Sequence, residues 1–106
     1  MIFIETAVFT RRISELLDEE AYFELQMTLL IDPQAGVLIP GTGGIRKIRI
    51  AANGHGKRGG ARVIYYHFVD ESHIGMLFAY AKNERADLTA AQKKVLAGIV
   101  ERWRLT

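Results

Sequence analysis

Residues 41–66, GTGGIRKIRIAANGHGKRGGARVIYY, decide how this chain folds. From Ile45 to Ala51 the side chains alternate with the two-residue period of a strand: Ile45, Lys47 and Arg49 on one side, Arg46, Ile48 and Ile50 on the other. Ala61–Val69 alternates again, with Arg62, Ile64, Tyr66 and Phe68 opposite Val63, Tyr65, His67 and Val69. A glycine-rich connection, Asn53–Gly60, is short enough to make the two strands antiparallel neighbours. The stretch carries Arg46, Lys47, Arg49, Lys57, Arg58 and Arg62, and no Asp or Glu occurs anywhere from Pro33 to Val69. The net charge is only +2, so this segregation outweighs the total and points to a surface for a polyanion.

On the N-terminal side, Ile2–Glu5 reads as a first strand and Thr6 as the cap of a helix with Phe9, Ile13, Leu16 and Leu17 at helical spacing. Asp18 starts a second helix, with Glu19 and Glu20 at the positive end of its dipole. Tyr22, Phe23, Met27, Leu29, Leu30 and Ile31 are expected to form its core face. Asp32-Pro33 ends it, because the residue before proline is driven out of the helical region. The two helices form a hairpin with an acidic outer side, and Val37–Gly44 reads as a loop.

On the C-terminal side, Asp70-Glu71-Ser72 is a turn and His73–Ala81 a further strand, followed directly by Lys82-Asn83-Glu84-Arg85. Thr89 and Gln92 have the spacing of a capping box before a helix with Val95, Leu96, Ile99, Val100 and Trp103 on one stripe. The order β-α-α-β-β-β-α predicts an α+β domain with a largely antiparallel sheet, a single domain over residues 1–106. No repeat, low-complexity tract or linker interrupts it.

Several chemistries are excluded. The chain has no cysteine, hence no disulfide and no thiolate nucleophile or ligand. No HxH or HExxH spacing suggests a metal site, and no cofactor is implied. Gly41-Thr42-Gly43-Gly44 lacks the Lys-Ser/Thr of a phosphate loop and precedes a strand. There is no signal peptide, and no apolar run approaches the roughly 20 residues that span a bilayer, so a cytoplasmic protein with no membrane partner is expected.

A basic sheet with aromatic neighbours suits RNA, whose phosphates supply affinity. RNA is also cleavable without metal: the 2′-hydroxyl attacks its own phosphate while the protein aligns it, neutralises charge and moves two protons. A lysine crowded by other cations loses some preference for its charged form and becomes a usable base. His55, His67, Tyr65, Tyr66 and Tyr80 are the other proton carriers. For His67 and the tyrosines core packing is the simpler role, and for His55 and His73 a solvated turn.

These residues carry a resemblance. Asp32-Pro33 and Gly36 after two helices, Gly41–Arg49, Gly56-Lys57-Arg58-Gly59-Gly60 through Tyr66, and Tyr80-Ala81-Lys82-Asn83-Glu84 resemble the RelE superfamily of toxins, most closely its HigB-type members. The resemblance implies a type II toxin–antitoxin toxin: a ribosome-dependent endoribonuclease that cuts mRNA in the A site and stops translation. It also implies a cognate antitoxin, of helix-turn-helix type, through which alone the toxin meets operator DNA. Family site positions fall on Lys47, Arg49, Arg62 and Lys82, while Arg46, Lys57, Arg58, His55 and Asn83 are the expected contacts to RNA or ribosome. The chain departs from RelE at Asn83, where RelE has arginine, and at Thr89, near where RelE has tyrosine. Lys57, Arg58 or His55 is expected to substitute. The same superfamily includes ParE-type gyrase poisons, and a non-cutting RNA or antitoxin binder is the third reading. Arg62 is expected on an exposed face, where a basic residue adds little stability, so Arg62→Ala should abolish toxicity and leave the fold intact; equal killing at equal soluble expression would remove it from the site.

Overall fold

Local capping sets the helices. Thr6 Oγ1 accepts the Phe9 amide at 3.0 Å, Asp18 Oδ1 accepts that of Ala21 at 2.7 Å, and Thr89 and Gln92 exchange side-chain bonds at 2.9 and 3.1 Å. The computed structural model describes residues 1–50, 60–70, 72–84 and 87–104. In chain order the elements are β1 (Ile2–Glu5), α1 (Ala7–Leu16), α2 (Glu19–Ile31), β2 (Val37–Leu38), β3 (Arg46–Ile50), β4 (Ala61–Phe68), β5 (His73–Ala81) and α3 (Ala90–Arg104). The fold is α+β with a mostly antiparallel sheet, as the sequence indicates. Val37–Leu38 adds one strand: expected to be loop, it pairs with Arg46 and Lys47 at the sheet edge.

The five strands run in the order β1-β5-β4-β3-β2. Only β1 is parallel to its neighbour, with Ile2 opposite His73 and Glu5 opposite Met76. Helices cover both sheet faces, and β4 contributes to both cores. Ala61, Val63 and Tyr65 pack with Phe9, Ile13, Leu25 and Leu29 beneath α1 and α2. Ile64 and Phe68 pack with Leu77, Tyr80, Leu96 and Val100 beneath α3. The register between β4 and β5 shifts at Ile64/Tyr65, where β5 carries Leu77 as an extra residue. The shift puts Leu77 and Phe78 in succession on the α3 side and so turns Tyr80 to that side and Ala79 to the α1/α2 core.

Two apolar assignments need correction. On α2 the buried residues are Ala21, Leu25 and Leu29, whereas Phe23, Met27, Leu30 and Ile31 face outward. The helix is apolar almost all round, so its periodicity does not choose a core stripe. On α3, Leu96 and Val100 are buried but Val95 is exposed, lining an apolar surface groove with Val8, Leu77 and Phe78.

The C-terminal turn of α3 docks through Trp103, which lies over Gly75 and meets Phe68 at 6.1 Å between ring centroids. A Cβ on Gly75 would stand 2.6 Å from Trp103 Cζ3 and 3.0 Å from Phe68 Cε2. Gly75→Ala is therefore expected to displace the indole and cost about 1–3 kcal/mol by overpacking. Since Trp103 is the only tryptophan, a red-shifted emission with a lowered melting temperature reports it directly; an unmoved spectrum would refute the contact.

Candidate nucleic-acid interface

Strand alternation and register assemble the basic face. On β3, Lys47 and Arg49 share the α3 side of the sheet, while Arg46, Ile48 and Ile50 take the other. Arg49 lies directly opposite Arg62 on β4, and Arg62 directly opposite Tyr80 on β5. Lys47 lies opposite Ile64, one step along the same face. Thus Lys47, Arg49 and Arg62 are brought together.

Arg62 is 6% exposed, not on an open face as the sequence suggests. Its position on the central strand, between β3 and β5, is what buries it, and its Nη1 reaches the Ala61 carbonyl at 3.5 Å. Two arginines directly across an antiparallel pair repel, and desolvating one of them costs more. Guanidinium groups paired across one sheet face can share a phosphate as a common acceptor.

Lys82 and Asn83 are exposed in the turn that follows β5. Ala81 is in register with Ala61, and the Lys82 amide donates to the Gly60 carbonyl at 3.2 Å, so the turn sits at the end of the sheet where Arg62 lies. Glu84 fastens this turn by accepting the Ala81 amide at 2.7 Å and pairing with Arg12 of α1. His55, Lys57 and Arg58 lie outside the described residues.

Arg46 is not part of this face. Its Nη1 donates to the carbonyls of Gly36 at 2.7 Å and Gln34 at 3.3 Å, bracing the connection from α2 to β2. Tyr65 braces the same connection: its hydroxyl donates to Pro33 O at 2.9 Å and accepts the Gly36 amide at 2.8 Å. Burial pushes the Tyr65 hydroxyl up from its ordinary value. Tyr65 is thus a strut on the far side of the sheet, and His67 alternates with it on that side. Of the tyrosines considered as proton carriers, Tyr66 and Tyr80 share the face of Arg62, Tyr80 buried and Tyr66 half-buried.

Asp87 is a site residue that the sequence did not disclose. It stands before α3, and its Oδ1 lies 3.7 Å from Lys47 Nζ. Its carboxyl is held below the ordinary range, first by the Leu88 amide at 2.9 Å and then by Lys47 and Lys93. The only local signal was its place two residues ahead of the capping box, which says nothing about Lys47, forty positions away. Among the described residues, no group of three His, Cys, Asp or Glu side chains is placed to hold a metal ion, and no helix is long and apolar enough to cross a membrane.

A solved structure of an E. coli toxin RelE mutant in the free state superposes with a TM-score of 0.59 over 95% of each chain, at 14% sequence identity, a likeness of fold. A family model described as the RelE toxin of the RelE/RelB toxin–antitoxin system matches residues 31–104, from the end of α2 through α3. The chain belongs to this family of toxins, and membership implies a cognate antitoxin of the RelB kind.

Proposed function

We propose that the chain is a ribosome-dependent endoribonuclease of the HigB type, cutting mRNA in the A site and so arresting translation. The observation that carries this reading is the cross-strand pair of Arg49 and buried Arg62, with Lys47 beside it on one face. In the reaction the 2′-oxygen bonds to phosphorus and loses its proton, the bond from phosphorus to the 5′-oxygen breaks, and that oxygen gains a proton. The products are a 2′,3′-cyclic phosphate and a free 5′-hydroxyl. Charge develops on the phosphoryl oxygens as the new bond forms. Preorganised guanidinium groups stabilise it without reorganising at the moment of reaction. Arg49 and Arg62 take that role, Lys47 holds an adjacent phosphate, and Lys82 and Asn83 contact the strand where it leaves the sheet. Tyr80, across the ladder from Arg62, is the proposed proton carrier on this face, and His55, Lys57 and Arg58 remain the proposed contributors from the 53–60 connection. The antitoxin partner is proposed to be a helix-turn-helix protein that also carries the toxin to operator DNA.

Induced expression in bacteria tests the function: pulse-labelled protein synthesis should stop rapidly, with new in-frame ends in translated mRNA. DNA damage with translation initially intact would replace this reading by gyrase poisoning, and neither effect would leave a binder. Because Arg62 is buried, Arg62→Ala opens a cavity and is a poor probe. Arg62→Lys keeps the charge but loses the two-pronged donor geometry, and cleavage on ribosomes should drop at least tenfold with little change in melting temperature. Arg49→Ala should drop it similarly; wild-type cleavage in both variants would dismiss the arginine pair.

Asp87 places a negative charge where the RNA phosphate is to sit. Asp87→Asn should tighten RNA binding several-fold at low salt, since Lys47 is released and a repulsive charge removed. The exposed ion pair contributes at most about 1 kcal/mol, so stability should barely move. Weaker binding in the variant would instead make Asp87 a contributor to recognition.

A further inference from the structure

The outer surface of α2 is out of keeping with a helix that faces water. Phe23 is 60% exposed, Met27 39%, Leu30 43% and Ile31 81%. They recur at i, i+4, i+7 and i+8, one stripe along the helix, opposite the buried stripe of Ala21, Leu25 and Leu29. Single exposed apolar residues are ordinary; four on one stripe mark a contact surface. The spacing is the one a helix offers to a partner helix.

Charge identifies the partner. Glu19, Glu20 and Glu24 lie on the same helix and Asp32 caps it, while no Lys, Arg or His occurs anywhere from Ile13 to Ile45. A second copy of this chain, docked stripe to stripe about a two-fold axis, would bring these carboxylates face to face with no basic residue of α2 to offset them. An anionic membrane would be repelled for the same reason. A helix with an apolar stripe flanked by Lys and Arg completes both the packing and the charge.

We infer that the outer stripe of α2, Phe23-Met27-Leu30-Ile31, is the seat of an amphipathic, basic-flanked helix of the cognate antitoxin. This rests on the toxin–antitoxin reading of the family. The seat lies on the side of the sheet away from Lys47, Arg49 and Arg62, so a helix bound there does not itself cover the basic face. Holding the toxin and silencing it are then tasks for different parts of the antitoxin.

The test titrates the full chain with the purified antitoxin encoded beside it. Phe23→Lys and Ile31→Lys alter exposed positions, so melting temperature and toxicity when expressed alone should match wild type. Affinity should fall at least tenfold in each, and co-expressed antitoxin should rescue growth less well. Glu20→Lys/Glu24→Lys should also weaken binding and flatten its dependence on salt. Wild-type affinity in both apolar variants overturns the seat, and unchanged affinity in the charge variant overturns the basic flank. An antitoxin that fails to bind even the wild-type chain defeats the partner reading underneath. A dimer seen by sedimentation and dissolved by Phe23→Lys gives the stripe to a second copy and overturns the proposal.

Discussion

A central strand buried on both faces is the constraint on which this molecule turns. β4 sits between β5 and β3 with a helical layer on each side, so its side chains are divided between two cores without a solvent-facing row. Strands of that kind ordinarily read as continuous apolar runs, and Val63, Ile64 and Tyr65 comply. Arg62 does not. Its guanidinium is desolvated by the same packing that orders the sheet, and it faces Arg49 across the ladder. The fold thus sets a guanidinium at one fixed depth in the sheet, where its position is decided by packing and not by the mobility of a surface side chain.

Much of this was legible in the chain because a strand's period of two leaves little freedom. Once Ile45–Ala51 and Ala61–Val69 are strands, Lys47 and Arg49 must share a face and Arg46 must leave it. What alternation does not contain is depth. Arg62 looks like any strand arginine until β3 and β5 close over it. Helical periodicity failed on α2 for a related reason: with Phe23, Leu25, Met27, Leu29, Leu30 and Ile31 in a single helix, two stripes fit equally well, and only the sheet chooses between them. The two-residue β2 is too short to carry a pattern, and the Asp87–Lys47 pair is a tertiary contact with no local trace. His55, Lys57 and Arg58 of the 53–60 connection lie outside the described residues.

Charge is distributed as unevenly in space as along the chain. The sheet face under the end of α3 collects lysine and arginine; α2 on the opposite side bears carboxylates alone. Asp87 is the exception, a carboxylate placed beside Lys47 on the basic side. Such a molecule approaches a polyanion with a preferred orientation, basic face first, before any short-range contact forms.

The parallel pairing of β1 has a temporal side. Ile2–Glu5 can join the sheet only through residues 73–76, which a ribosome adds several seconds later at ordinary rates of synthesis. During that interval α1 and α2 exist without the strands they pack against, and both apolar stripes of α2 are open to the surroundings. Closing a contact so distant in sequence is slow compared with forming a helical hairpin. The sheet thus closes around β1 only after β5 has been made, and the helical hairpin precedes that closure.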